Sequence, residues 1–131
     1  MNPYAAAWTA FPEREVLPGN FRRAVAGREM GLNQIRWVHP TELPEHTHPD
    51  AEQAIVMLSG RLEFTIAGET MELSAGDVCV VPRHAVHSGR SIEGEATFVE
   101  VFAPLRVENL LGFLGPSMPA QEPVQQSEDQ A

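Results

Sequence analysis

The chain has 131 residues, with 9 basic and 18 acidic side chains and a formal net charge of −9. This length suits one domain that buries about two-thirds of its unfolded surface, and the acidic balance argues against nucleic acid or an anionic membrane as a partner. No apolar run approaches the roughly 20 residues of a membrane span, and the N-terminus lacks the basic start and long apolar core of a signal peptide, so we expect a cytoplasmic protein. Cys79 is the only cysteine, which excludes an intrachain disulfide, and its apolar neighbours predict a small buried side chain.

The first part of the chain begins with an arm and continues as strands. Residues 1–20 show no clear periodicity and are interpreted as an N-terminal arm. Residues 21–26 and 30–39 are predicted to be strands, the second of which ends before Pro40. His39, next to this proline, is expected to be a surface residue at the strand end.

The middle of the chain alternates short apolar stretches with glycine turns. Residues 52–59 and 61–67 are predicted to form a hairpin around Gly60, and the second arm alternates polar and apolar side chains as a half-buried strand does. Short strands at regular spacing, without a convincing long helix, indicate an all-β protein with a closed or sandwiched antiparallel barrel over residues 21–106. The remaining strands of this barrel are predicted at residues 70–73, 77–81 and 96–103.

The C-terminal part of the chain departs from the strand pattern. Residues 107–114 are apolar enough for one short helix or a strap across the barrel, and Gly112 limits the length of a helix there. Residues 115–131 are rich in Pro, Gln, Ser, Glu and Asp. Such a segment has too few apolar side chains to bury, so it is predicted to be disordered.

Two histidines, two residues apart, give the strongest functional signal. On a β-strand this spacing places His46 and His48 on one face, because side chains alternate. Together with Gln53 and His87 they make a set of three imidazoles and one amide oxygen that can converge on one metal ion. Glu52 is an alternative ligand to Gln53, but it is expected to project from the opposite face of its strand.

These residues resemble the first sequence motif of the cupin family. In that motif a glycine and five residues precede His-x-His, a glutamate follows after three or four residues, and another glycine follows after six more. In this chain Gln53 has the position of the glutamate and Gly60 that of the last glycine, whereas the first glycine is absent. Gln53, rather than Glu52, is the residue that leaves six residues before Gly60.

The second cupin motif also has a counterpart. Its first glycine, its proline and its histidine are matched in register by Gly76, Pro82 and His87. His84 has the position of the motif's second glycine, and Ser91 that of its asparagine. The resemblance covers residues 29–106 and implies a single-domain double-stranded β-helix, or jelly-roll barrel, in which the histidines hold a metal.

The last predicted strand adds a second group of polar residues. Glu100 and Phe102 lie on one face of this strand, and Arg106 follows Pro104. If that face is the barrel interior, Glu100 can move a proton and Arg106 can bind a substrate carboxylate through paired hydrogen bonds. The alternative is a surface Glu–Arg pair at the strand end, with Phe102 in the core.

The sequence of residues 100–106 is similar to the Asp-x-Phe-x-Pro-x-Arg ending of the small KdgF-like cupins. Members of that family bind metal through three histidines and a glutamine and convert 4,5-unsaturated uronates to linear 5-keto-4-deoxyuronate. The resemblance implies catalytic roles for Glu100, Phe102 and Arg106. Glu100 replaces the family's aspartate, and its extra methylene can displace a proton-transfer group by about 1 Å.

Imidazole and amide ligands suit a divalent transition metal, such as Ni, Zn, Mn or Fe, better than magnesium or calcium. Because these ligands carry no negative charge, the ion attracts an anionic or enolate-like ligand, and we expect a metal-dependent enzyme with a small carboxylate substrate. One alternative is an iron-dependent dioxygenase or cyclase that acts on a small aromatic or polyketide substrate. The other is a non-catalytic protein that binds a small ligand. Cupins of this size are commonly dimers, so the resemblance also implies a homodimer.

Overall fold

The computed structural model describes residues 4–104, so Arg106, the predicted strap at 107–114 and the predicted tail at 115–131 lie outside the described residues. Within residues 4–104, the chain forms one 3₁₀ helix at Trp8–Ala10 and ten strands. The strands are β1 (Arg14–Leu17), β2 (Asn20–Ala26), β3 (Gly31–Val38), β4 (Glu42–His46), β5 (Glu52–Ser59), β6 (Arg61–Ile66), β7 (Glu69–Ser74), β8 (Val78–Val81), β9 (His87–Ser91) and β10 (Glu95–Ala103). No helix among these residues is long and apolar enough to cross a membrane.

The strands form two antiparallel sheets that pack face to face. The larger sheet has the order β1-β2-β3-β10-β5-β8, and the smaller sheet has the order β4-β9-β6-β7. Inward-facing residues from both sheets form one core, as expected when alternating side chains of two sheets interdigitate. The arrangement agrees with the predicted all-β barrel.

The core is centred on Trp37. Its ring stacks on Phe64 of the smaller sheet at a centroid distance of 6.2 Å and contacts Phe98 edge to face at 5.3 Å. Strand β3 shows why the sequence folds this way, because every second residue from Gly31 to Trp37 is buried. One of these inward positions is occupied by a polar residue, Asn33, whose partners are described below.

The predicted hairpin around Gly60 is wrong. Strand β5 pairs with β10 and β8 in the larger sheet, whereas β6 pairs with β7 and β9 in the smaller sheet. The chain crosses between the sheets at Gly60, where φ is +73° and a Cβ atom would clash with the backbone carbonyl oxygen of Glu95. Only glycine tolerates both conditions. Alternation predicted that β6 is half buried, but it carries no information about which strand β6 pairs with.

The N-terminal arm contains a strand that the sequence did not predict. Strand β1 pairs with β2 at the edge of the larger sheet, and all four of its residues are exposed, so it shows no alternation. Just before it, Glu13 accepts hydrogen bonds from Arg36 of β3, and this contact lowers the pKa of the Glu13 carboxyl. The contact ties the arm to the outer face of the sheet.

The opposite edge of the larger sheet is apolar. Val78 and Val80 of β8 are 69% and 56% exposed, whereas Cys79 between them is half buried against the core, and burial raises the pKa of its thiol. His39 is exposed, as expected for a strand end. The homodimer and the cytoplasmic location stay predictions.

Candidate metal centre

Three histidine rings meet inside one end of the barrel. His46 ends β4 and His87 begins β9, and these two residues are partners across the ladder of the smaller sheet. His48 lies two residues beyond the end of β4, so a loop rather than a strand face positions it. The ring centroids are 4.1–4.9 Å apart, and one ligand atom from each ring lies within 4.8 Å of the others.

Backbone carbonyl groups orient two of the imidazoles. His46 Nδ1 donates to the Pro44 carbonyl oxygen at 2.8 Å, and His87 Nδ1 donates to the Ala85 carbonyl oxygen at 2.9 Å. A carbonyl oxygen only accepts, so the proton of each neutral ring is on Nδ1 and the lone pair is on Nε2, as in many metal-binding histidines. The ring orientation therefore depends on the local chain path.

Gln53, on β5 of the larger sheet, lines the same cavity as His46 and His48. Its side chain is 2% exposed, and its Nε2 donates to Glu100 Oε1 at 3.1 Å. Within residues 4–104 its Oε1 is buried and has no hydrogen-bond partner. A buried amide oxygen without a partner is costly, and coordination of a metal beside the histidines would satisfy it. Glu52, the alternative ligand, is exposed.

Glu100 turns into the barrel and is held by two amides. Besides the bond from Gln53, its Oε2 accepts a hydrogen bond from Asn33 Nδ2 at 3.1 Å. Asn33 is 1% exposed and lies directly across from Glu100 in the β3–β10 ladder. The sequence interpretation missed Asn33, although a polar residue at an inward position of an alternating strand was a signal that could have found it.

Phe102 covers the histidines from the same strand as Glu100. Its side chain is 4% exposed, and its ring contacts His48 edge to face at a centroid distance of 5.3 Å. Its partner across the β10–β5 ladder is Gln53. The structure therefore brings Glu100 and Phe102 to the predicted metal ligands, whereas Arg106 is outside the described residues.

The site opens into a cavity of about 280 Å³ between the two sheets. The cavity is polar near the histidines and has apolar residues from β1 and β4 along its length. It is lined by Val16, Leu17, Asn20, Arg22, Ile35, Trp37, Leu43, His46, His48, Gln53, Glu100 and Phe102. A volume near the lower end of the roughly 300–1,000 Å³ of ligand pockets suits a small molecule.

The donor set fits a divalent transition metal. His46, His48 and His87 would supply imidazole nitrogens, and the buried Oε1 of Gln53 is the candidate fourth ligand. Nitrogen and neutral oxygen donors of this kind suit zinc, nickel, iron or manganese. With four protein ligands, a metal that takes five or six ligands could also bind a substrate oxygen. Glu100 is the only carboxylate lining the cavity among residues 4–104.

Comparisons with solved structures agree with this architecture. The chain is similar to KdgF from Halomonas sp., with a TM-score of 0.73 and 25% identity, over 78% of this chain and 95% of that one. It also superimposes on an RmlC-like cupin from Shewanella frigidimarina NCIMB 400 with a TM-score of 0.71 and 20% identity, over 79% of this chain and 91% of that one. The second likeness shows the fold alone.

Curated relatives are similar over part of their length. The chain is 31% identical to the polyketide synthase CurC of Streptomyces cyaneus over 96 residues, which are 72% of this chain and 62% of that protein. It is 32% identical to the quercetin 2,3-dioxygenase of Bacillus subtilis over 87 residues, 66% of this chain and 26% of that protein. The cupin domain model matches residues 37–102, half of the chain, including all four proposed metal ligands. The chain therefore belongs to the cupin family.

Proposed function

We propose that this cupin is a metal-dependent enzyme that linearises a 4,5-unsaturated uronate to 5-keto-4-deoxyuronate. One observation carries the proposal: Gln53, which lines the cavity together with His46 and His48, donates to Glu100 and has a buried side-chain oxygen without a hydrogen-bond partner among residues 4–104. A metal bound to this oxygen would be linked to the proposed proton carrier through one residue. The likeness to KdgF supports the choice of substrate, because it extends over 95% of that chain. KdgF-like cupins have the same ligand types and an acidic residue at the position of Glu100.

A bound divalent metal supplies a positive charge that polarises a substrate oxygen. His46, His48, His87 and Gln53 are the residues that would hold it. Because none of these ligands is anionic, the site favours an anionic or enolate-like oxygen over a neutral one. Phe102 packs against His48 and excludes water from that side of the site.

Glu100 is positioned to move the proton. Its two carboxylate oxygens accept one N–H group each, from Gln53 and from Asn33, which fixes the plane of the carboxylate. In the proposed reaction a proton is delivered to C4 of the unsaturated ring and water adds at C5, which gives a hemiketal. The hemiketal opens by cleavage of the bond between C5 and the ring oxygen, and water is released when C1 becomes an aldehyde. Glu100 relays the proton in these steps.

The test is turnover of the metal-loaded protein. Purified protein is loaded with nickel, zinc, manganese or ferrous iron in turn, and the loss of ultraviolet absorbance of 4,5-unsaturated galacturonate is followed against protein-free decay. We expect acceleration with at least one metal, and we expect it to disappear in His48→Ala and in Glu100→Gln. Absence of acceleration with every metal, while metal is demonstrably bound, would contradict the proposal.

A second function is favoured by the sequence similarity to the quercetin 2,3-dioxygenase and to CurC. In this alternative the same metal site serves an iron-dependent dioxygenase or a cyclase, and the substrate is a small aromatic or polyketide compound. The matched region spans only 26% of the quercetin 2,3-dioxygenase and 62% of CurC. Oxygen consumption by the ferrous protein with a flavonol would favour this alternative, and its absence alongside uronate turnover would reject it.

A further inference from the structure

Two residues that line the metal cavity, Asn20 and Trp37, carry buried polar atoms. Asn20 is 6% exposed and Trp37 is 1% exposed, and both side chains line the cavity. Within residues 4–104 neither Asn20 Oδ1 nor Trp37 Nε1 has a hydrogen-bond partner. One is an acceptor and the other a donor, and buried groups of both kinds are normally satisfied. A ligand bound in the cavity would supply the missing partners.

Arg22 adds a positive charge beside these two atoms. Arg22 lines the cavity, whereas Arg23, the next residue on β2, lies on the opposite face of the strand and donates to the Phe11 carbonyl oxygen. Among the described residues, Arg22 is the only arginine or lysine that lines the cavity. A guanidinium group in such a place recognises a carboxylate with defined geometry.

The register of β2 and β3 determines how far Asn20, Arg22 and Trp37 lie from Glu100, the proposed proton carrier. Asn20 pairs with Trp37, Arg22 with Ile35, and Ala24 with Asn33, the residue that holds Glu100. Two residues along a strand advance about 6.6 Å. Arg22 is thus one step, and the Asn20–Trp37 pair two steps, from the row that contains Asn33. Along the wall formed by β2 and β3, Arg22 and then Asn20 therefore lie progressively farther from the row beside Glu100.

We propose that Asn20, Arg22 and Trp37 form a recognition subsite for the carboxylate and a neighbouring hydroxyl group of a small hydroxy acid of the sugar-acid class. Arg22 pairs with the carboxylate, Asn20 Oδ1 accepts a hydrogen bond from the hydroxyl group, and Trp37 Nε1 donates to a ligand oxygen. This inference rests on the proposed function in one respect, namely that the substrate occupies this cavity. It identifies a second set of residues, independent of the metal ligands, that selects an acid over the matching neutral sugar.

Ligand binding separates this subsite from the reaction. The probes are D-galacturonate, which has the carboxylate but no double bond, and D-galactose, which lacks the carboxylate. Their dissociation constants are measured by calorimetry on the zinc-loaded full chain, together with zinc affinity and thermal stability. The variants are Arg22→Met, Arg22→Lys and Asn20→Leu. Arg28→Met is the control, because Arg28 is exposed and its loss changes the net charge by the same amount.

We expect the wild type to bind galacturonate at least 10-fold more tightly than galactose. Arg22→Met should remove at least 10-fold of the galacturonate affinity without changing zinc affinity, Arg22→Lys should restore part of it, and Asn20→Leu should weaken both sugars several-fold. Equal galacturonate binding by the wild type and Arg22→Met, or an equal loss in Arg28→Met, would overturn the inference, as would a wild type that does not distinguish the sugars. Because no turnover is measured, failure of the proposed reaction leaves these readouts unaffected.

Discussion

The two halves of the candidate site are held in place by different kinds of contact. In the histidine half, formed by His46, His48 and His87, two of the rings are oriented by carbonyl groups only two residues away in the chain. In the carboxylate half, formed by Asn33 and Glu100, the orienting bonds are long-range. Asn33 and Glu100 are 67 positions apart in the chain, and Gln53 and Glu100 are 47 positions apart. In the first half local chain geometry orients the rings and the pairing of β4 with β9 brings His46 and His87 together, whereas the second half depends on three strands of the larger sheet being in register.

This difference predicts two separable properties. Substitutions in the histidine half should remove the metal, and activity should fall because the metal is lost. Substitutions in the carboxylate half should leave the metal bound and reduce activity alone. Gln53 belongs to both halves, because its amide nitrogen bonds to Glu100 and it lines the cavity with His46 and His48, where its buried oxygen is a proposed metal ligand.

The largest effect is expected from His87→Ala. His87 is 1% exposed and its Nε2 is a proposed ligand, so its loss should weaken metal binding by more than the roughly 10–100-fold that loss of an outer hydrogen bond costs. The measurement is a metal-binding titration. The control is His84→Asn, because His84 is exposed with φ of +68°, a conformation that asparagine tolerates. Wild-type metal affinity in His87→Ala would contradict the assignment of the histidine half.

The second effect is a loss of turnover without loss of metal, in Glu100→Gln. The substituted amide keeps the shape of the side chain but cannot carry the proton, and general acid–base catalysis typically contributes about 10²–10⁴-fold. Turnover and metal affinity are measured on the same preparation. Glu95→Gln, an exposed position at the start of β10, serves as control. Full turnover in Glu100→Gln would exclude it as the proton carrier.

A smaller loss of turnover is expected in Asn33→Leu. Removing the Nδ2 donor takes away one of the hydrogen bonds that orient Glu100, and a displacement of about 1 Å can cost on the order of 10²-fold. Gln34→Leu is the matched control, because Gln34 is the next residue on β3 and faces away from the core. The catalytic constant should fall in Asn33→Leu while metal affinity is unchanged. A parallel fall in metal affinity would mean that the two halves are not separable.

The smallest effect is expected in Glu52→Gln. Glu52 is exposed, whereas its neighbour Gln53 is buried beside the histidines. Metal affinity and turnover should therefore both stay close to the wild-type values. A clear loss of metal affinity in this variant would make Glu52, rather than Gln53, the fourth ligand.

The same contrast explains how much could be predicted from the sequence. The cupin motifs predicted the cluster of His46, His48 and His87, although the pairing of β4 with β9 that brings His46 and His87 together cannot be read from their spacing. Asn33 was missed, since its role depends on the pairing of β3 with β10. Its partner Glu100 is 67 residues later in the chain. The false hairpin at Gly60 has the same origin. Alternation reports which face of a strand is buried, but not which strand lies beside it.

The barrel as a whole was predictable because its strands are short, alternating and separated by glycine turns. Strand β1 could not be predicted, because its four residues are all exposed and show no alternation. Only its pairing with β2 makes it part of the sheet. The two buried polar atoms of Asn20 and Trp37 could not be recognised either. A sequence shows that a residue is polar, but only the packed barrel shows that its partner is absent from the described residues.

The most direct test of the account is the pair of values, metal affinity and turnover, in Gln53→Leu. Leucine has nearly the same size but removes both the amide oxygen and the amide donor. Because Gln53 joins the two halves, we expect metal affinity and turnover per bound metal to fall together, whereas Glu100→Gln loses turnover alone. Wild-type metal affinity in Gln53→Leu would contradict the central claim, because the histidines would then hold the metal without the residue that links it to Glu100.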